Sequence, residues 1–393
     1  MCAPGYASDL SPIVSCVDGN YQPYRPEQFR CEPVVALAIS TDGQMEIFSD
    51  KCSKLLPNIP AMELSGHTVD LVDSQLIIGA EDSDSKGWWY WSLEEPRSGI
   101  LSNEWIRIKT LSEHSPRNHV SFTHGKDLVF IGGDQKTQTK LQRGRTAQME
   151  WNNFVLEDEE GTSFANFVSN GCVVKVEEDK YYILGGSDTI TNEATSRIVF
   201  INMKEQKVQE RGSLEIARTQ HACALLSQLQ PATSGETEEA SYKLSILVTG
   251  GLRSTQGPTK EIAEDELFDV SVGTSQVLSQ SMNTPRYDHR LMNLGEVLHS
   301  LGGRSSDGSA TSSVETREAA SGSWTLHPKS LLSSSPAGLA VTGLPASAVD
   351  CQPDCSCGKV DGSRIIGGAQ AEVRLARWDS TLNLQRYFPN RPS

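Results

Sequence analysis

Four histidines recur through the sequence, His67, His119, His221 and His289, and three of them have an arginine two or three residues upstream: Arg117, Arg218 and Arg286. Imidazoles repeated about an axis could ligate a metal, and repeated guanidiniums could grip the carboxylates of an acidic partner. Trp88 and Trp89, in the run WWYWSL, offer flat apolar faces of the kind on which a sugar stacks. The tail holds Cys351, Cys355 and Cys357, but C-x3-C-x-C lacks the second pair or histidine that a zinc site needs. The acidic run 157–160, EDEE, reads as a solvated turn. No phosphate loop, H-E-x-x-H, G-x-S-x-G elbow or EF-hand series is present. Catalytic residues, metal ligands and cofactor are therefore all set at none. The candidate partner-binding residues are Arg117, Arg218, Arg286, Trp88 and Trp89, with hydrogen bonds that brace the repeat as the competing role for the arginines.

The elements that must carry these side chains are repeats. An apolar, strand-like run ending in a glycine pair occurs as LVFIGG (128–133), YYILGG (181–186), ILVTGG (246–251) and VLHSLGG (297–303), with a degenerate copy, LIIGA, at 76–80. The leading glycines are Gly79, Gly132, Gly185, Gly250 and Gly302, spaced by 53, 53, 65 and 52 residues. The one long interval contains QLQPATSGETEEASY, a polar insertion of the kind a surface loop tolerates. His67, His119 and His289 stand about 13 residues before their glycines, His221 stands before the insertion, and Trp105, Trp151 and Trp324 keep step some 20 residues after the glycines. That lock to the repeat points the histidines to a structural role. Each period reads as four short strands joined by Gly, Ser, Asn and Asp turns.

Strand, glycine pair, strand and tryptophan at a period near 50 resemble the kelch repeat over about 310 residues. The resemblance implies an all-β fold, a β-propeller, in which Gly132, Gly133, Gly185, Gly186, Gly250, Gly251, Gly302 and Gly303 permit close packing of neighbouring blades and aromatics fill the wedge between sheets. Two departures stand out: Ala80 replaces the second glycine after Gly79, and Cys172 lies near where the copy at Gly185 should have its histidine. Segments 34–62 and 336–345 each hold part of a unit. Joined, they would close a sixth blade and remove two exposed sheet edges, so the expectation is six blades over 34–346 with N- and C-terminal strands sharing one.

Nine cysteines cluster toward the ends, which suggests disulfide-stapled modules around a large core and leaves one thiol over. Residues 1–33 resemble the second half of a sushi module, which implies a Cys2–Cys31 disulfide and leaves Cys16 without its usual partner; a loop with Cys16 bonded to Cys52 is the alternative. After a Cys-rich linker, 347–363, residues 364–393 resemble the activation junction of trypsin-like serine proteases: cleavage between Arg364 and Ile365 of RIIGG would free the Ile365 amine, and Trp378 follows where that family opens its first strand. Thirty residues hold no Ser–His–Asp constellation, so this chain itself is read as no enzyme, while a longer product would be a serine endopeptidase.

Net charge is −15, which disfavours nucleic acid and anionic membrane as partners, and no apolar run approaches a membrane span. The start, MCAPGYASDLSP, lacks the form of a secretory signal. The expectation is a secreted, non-catalytic propeller that binds a protein or glycan, the regulatory front of a modular protease precursor, truncated at both ends and of unassigned oligomeric state. The alternative is an intracellular kelch adaptor; a propeller enzyme is a third class, which would need clustered channel carboxylates or metal ligands.

Overall fold

The structure, a computed structural model, describes residues 6–8, 15–17, 20–22, 31–49, 53–56, 68–72, 75–81, 86–92, 106–108, 118–125, 127–133, 137–143, 149–163, 168–230, 241–253, 261–294, 297–318, 322–331 and 338–345. Every regular element among them is a strand. The repeat unit is realised as a four-stranded antiparallel meander, because each unit supplies four short apolar-rich runs separated by tight turns.

Five such meanders follow in order. The second sheet joins Thr68–Val72, Gln75–Glu81, Lys86–Ser92 and Ile106–Ile108; the third joins His119–His124, Asp127–Gly132, Thr137–Arg143 and Met149–Asn153. The fourth joins Cys172–Glu177, Lys180–Leu184, Thr195–Asn202 and Lys207–Arg218; the fifth joins Ala222–Gln230, Ser241–Thr249, Glu264–Asp269 and Thr274–Ser281. The sixth joins Arg290–Leu294, Val297–Leu301, Val314–Glu318 and Trp324–Leu326. The first sheet is composite. Ala340–Pro345, from the far end of the chain, pairs antiparallel with Cys31–Ile39 (Val341 opposite Ala38, Gly343 opposite Ala36), and Met45–Phe48 and Ser53–Leu56 continue outward. Tyr6–Ser8 adds a short antiparallel pairing to Cys31–Ile39, Ser8 opposite Cys31.

The innermost strand of each sheet touches that of the next, and Arg290–Leu294 reaches Ala340–Pro345, which in turn reaches Thr68–Val72. The arrangement is propeller-like. Its core lies between sheets: Val120, Phe122 and Ile131 of the third pack against Tyr181, Ile183 and Val199 of the fourth. Tyr182, Leu184 and Ile198 of the fourth likewise meet Ile246, Val248 and Phe268 of the fifth. Ala36, Ala38 and Phe48 of the composite sheet meet Leu294, Leu301 and Val314 of the sixth. Alternate residues of a blade strand thus face two different neighbours, so both faces are apolar.

The junction residues Arg364 and Ile365, the linker 347–363, Arg117, His67 and Cys2 fall outside the described residues; Trp88, Trp89 and Cys31 lie in strands whose backbones alone are described.

Candidate functional site

At the glycine-pair end, five of the sheets are opened by a residue held in the left-handed region: Asn118 (φ 57°), Asn170 (53°), Gln220 (53°), Asp288 (58°) and Gly338 (63°). Their backbones are linked in series. Asn170 N–H donates to Asn118 O, Gln220 to Asn170, Asp288 to Gln220 and Gly338 to Asp288, at 2.8–3.3 Å. The next residue in three of the five is a histidine, and the glycines make room for it. A Cβ on Gly185 would stand 2.6 Å from His221 Cε1, one on Gly251 2.7 Å from His221 Cβ, and one on Gly303 2.8 Å from His289 Cβ. The imidazoles of His221 and His289 are therefore gripped between the first glycine of the preceding sheet and the second glycine of their own. In the copy ending at Gly185-Gly186 the place after Asn170 is taken by Gly171, not by Cys172, and a Cβ on Gly186 would stand 3.0 Å from the Gly171 Cα. Cys172 instead forms a disulfide with Cys223 of the fifth sheet, Cα atoms 6.0 Å apart, a pairing the cysteine spacing did not suggest.

Burial sets the chemistry of these histidines. It lowers His119 and His221 to a pKa of about 3 from 6.5, His221 also being repelled by the Arg218 charge, and it holds His289 well below the usual range. His119 Nε2 lies 3.2 Å from Thr68 Oγ1 and His289 Nε2 3.0 Å from Thr249 Oγ1, whereas neither ring nitrogen of His221 has a hydrogen-bond partner among the described residues. Among the described residues no group of three or more His, Cys, Asp or Glu side chains is gathered for a metal ion.

Arg218 and Arg286 correct the expectation of a partner-facing ring of donors. Both are fully buried, and each guanidinium reaches forward into the next sheet. Arg218 donates to Gly250 O (3.1 Å), Glu264 O (3.2 Å) and Glu266 Oε2 (3.0 Å). Arg286 repeats the pattern with Gly302 O (3.0 Å), Ser313 O (3.0 Å) and Glu315 Oε1 (2.6 Å). The carboxylates are held in turn: Glu315 accepts from the backbone N–H of Asn283 and Thr284 at 2.7 and 3.0 Å, and Glu266 from that of Glu215. A guanidinium with no water to face must be neutralised where it lies, so these arginines lock sheet to sheet and are unavailable to a ligand. Nearby, Trp324 of the sixth sheet fills the wedge against the fifth and donates from Nε1 to Asp265 Oδ2 at 2.5 Å. Burial raises Asp265 to about 7, only partly offset by the Trp324 hydrogen bond and the Arg317 charge.

The opposite end of the fourth and fifth sheets is different. There the hairpins around 177–180, 202–207 and 269–274 diverge to leave a groove of about 1050 Å³. Its floor is a cross-strand row in which Phe200 stands opposite Tyr182 on one side and Gln209 on the other, with Tyr182 packed on Phe268 at 5.5 Å between ring centres. Pairing of Thr195–Asn202 with Lys207–Arg218 runs regularly to Val199–Glu210 and resumes at Arg197–Ser213, so the second strand carries one extra residue at Arg211-Gly212. Such a bulge turns a side chain out of the ladder's alternation. Arg211 here lies over the Phe200 ring, 4.9 Å from its centre, with Nε donating to Gln209 Oε1 at 2.7 Å. Gly212 (φ 84°) lets the bulge approach the 269–274 hairpin, since a Cβ there would sit 2.5 Å from Gly273 O. The rim carries Lys180, Lys207 and Lys243 beside Glu159, Glu177, Glu205 and Asp269, and Val272 projects 69% exposed.

No protein-family model and no curated protein matches the chain. Among solved structures, one described as "Structure of YjhT" aligns with a TM-score of 0.52 at 12% identity, covering 72% of this chain and 91% of that one. The chain has a β-propeller fold. At that identity the likeness carries the fold alone. Within the propeller, the glycine-pair end is occupied by bracing contacts, and the inter-blade groove at the other end is the candidate site. Sequence reading missed it, because nothing in the local run QERGS (209–213) other than its glycine marks a bulge.

Proposed function

We propose that this chain is a secreted, non-catalytic binding module, built as a six-bladed kelch-like propeller, whose groove between the fourth and fifth sheets receives a protein or glycan partner. The six-blade reading is supported by the composite sheet, where Ala340–Pro345 takes the innermost place, beside the five meanders. The binding half of the proposal is carried by the groove, which sets an aromatic floor and an unburied arginine inside a polar rim. That combination suits recognition: apolar faces supply contact area and a few placed polar groups supply orientation. The location half is supported by the Cys172–Cys223 bond, since such cross-links persist in oxidising compartments. The Cys-Gly…Arg364-Ile365-Ile366-Gly367-Gly368 run adds the further reading that the propeller is the regulatory front of a trypsin-like protease precursor, which it would localise to the partner.

Counting free thiols on the denatured native protein tests the compartment. Few free thiols among the nine cysteines are expected; a count near nine sinks the secreted reading in favour of an intracellular adaptor. Peptide mapping of the native gene product tests the precursor reading, which predicts peptides from a His-, Asp- and Ser-bearing domain downstream of Ile365; a product of 42.9 kDa contradicts it.

A further inference from the structure

We infer that Arg211 anchors a single carboxylate carried by an extended protein segment lying in the groove between the fourth and fifth blades. The inference rests on the binding-module reading and narrows its partner. Four cations line the groove, and three are already paired: Lys180 with Glu177 at 2.6 Å, Lys207 with Glu157 at 2.9 Å and Lys243 with Asp269 at 2.8 Å. Arg211 is the fourth, and among the described residues no carboxylate stands within ion-pair distance of it. Its guanidinium is nonetheless fixed. Phe200 supports its face, and Gln209, itself held by Glu159, accepts from Nε. The Tyr182 hydroxyl also lies within hydrogen-bond reach of the guanidinium. The N–H groups that remain on its solvent side can meet a carboxylate, and little side-chain freedom remains to be lost when they do.

The surroundings decide between carriers of that charge. A polyanion such as a sulfated glycan would meet a chain of net charge −15 and the rim carboxylates Glu159 and Glu205, which repel every charge after the first. A peptide segment can present one carboxylate to Arg211 and neutral or basic neighbours to that rim. About 1050 Å³ is at the upper end of small-ligand sites, roughly 300–1,000 Å³, and exposed Val272 offers an apolar contact for a flanking side chain.

The test is an array of immobilised nine-residue peptides of varied composition, each with a central glutamate and a twin carrying glutamine there, probed with the full chain and with three variants. Wild type is expected to hold a subset of glutamate peptides about tenfold more tightly than their twins. Arg211→Gln erases that difference, Arg211→Lys restores only part of it because the fork is lost, and Arg253→Gln, at the glycine-pair end, leaves it intact. Equal retention of the twins, a preference that survives Arg211→Gln, or no retention of any peptide overturns the inference. A sulfated oligosaccharide probed in parallel separates the two readings: Arg211-dependent retention of it without any peptide preference overturns the peptide carrier and leaves the binding module standing.

Discussion

The fourth and fifth blades meet twice, once at the glycine-pair end and once at the hairpin end, and the two meetings treat the same residue type in opposite ways. At the first, Arg218 is sealed from solvent against Glu266, and its Nη groups find acceptors supplied by the adjacent sheet. At the second, Arg211, seven residues earlier on the same strand, is exposed, stacked on Phe200 and short of a carboxylate. Burial and pairing make an arginine structural; exposure with partial preorganisation makes it a receptor. The contrast has a geometric source. Glycine pairs let the blades close around buried side chains, whereas the bulge at Arg211-Gly212 turns the Arg211 side chain out of the ladder's alternation.

Breaking the closed end carries the largest effect. Glu315→Leu leaves the Arg286 guanidinium and the N–H groups of Asn283 and Thr284 without their acceptor, and a loss of about 3–5 kcal/mol in unfolding free energy is expected from urea denaturation. Removing both Cys172 and Cys223 opens a cross-link between residues 51 apart, and should cost about 2–4 kcal/mol by the same measurement. Gly250→Ala forces a Cβ into Arg286 O and His289 at a φ of +61°, so about 1–3 kcal/mol of strain is expected, read as a lowered thermal midpoint.

The pH dependence sharpens the contrast, because the closed end holds its histidines and Asp265 neutral. Unfolded imidazoles bind a proton below about 6.5, but folded His119 and His221 do so only near 3; the unfolded state therefore takes up more protons, and stability falls as pH drops through that window. Asp265 acts in the other direction. Its folded carboxyl keeps a proton up to about 7 and its unfolded one only to 3.8, so it withdraws stability as pH rises between those values. Asp265→Asn keeps an acceptor for Trp324 and removes this second contribution. Relative to wild type, the variant should gain on the order of 1 kcal/mol per pH unit between pH 4 and 7, measured by denaturation at fixed intervals. An unchanged pH profile would show that Asp265 is not the buried neutral acid of this blade.

Most of the propeller was legible in the sequence because periodicity is local: the run into Gly250-Gly251 reports its strand and its close packing without reference to any other part of the chain. What the arginines do was not legible. Arg218 becomes a brace only through Glu266, 48 residues on, and a spacing between arginine and histidine contains no information about that carboxylate. The same holds for the Cys172–Cys223 bond, which joins two inner strands, and for the groove, whose defining bulge is a property of strand pairing. Trp324 behaved as its phase implied, filling the wedge between sheets.

The most direct measurement is a paired urea denaturation of Arg218→Met and Arg211→Met against wild type. One strand carries both arginines, and both substitutions remove the same charge. The account predicts a loss of about 3–5 kcal/mol for Arg218→Met and a change within about 0.5 kcal/mol for Arg211→Met. Equal losses at the two positions would contradict it, because Arg211 would then be a second brace and the groove would have no receptor.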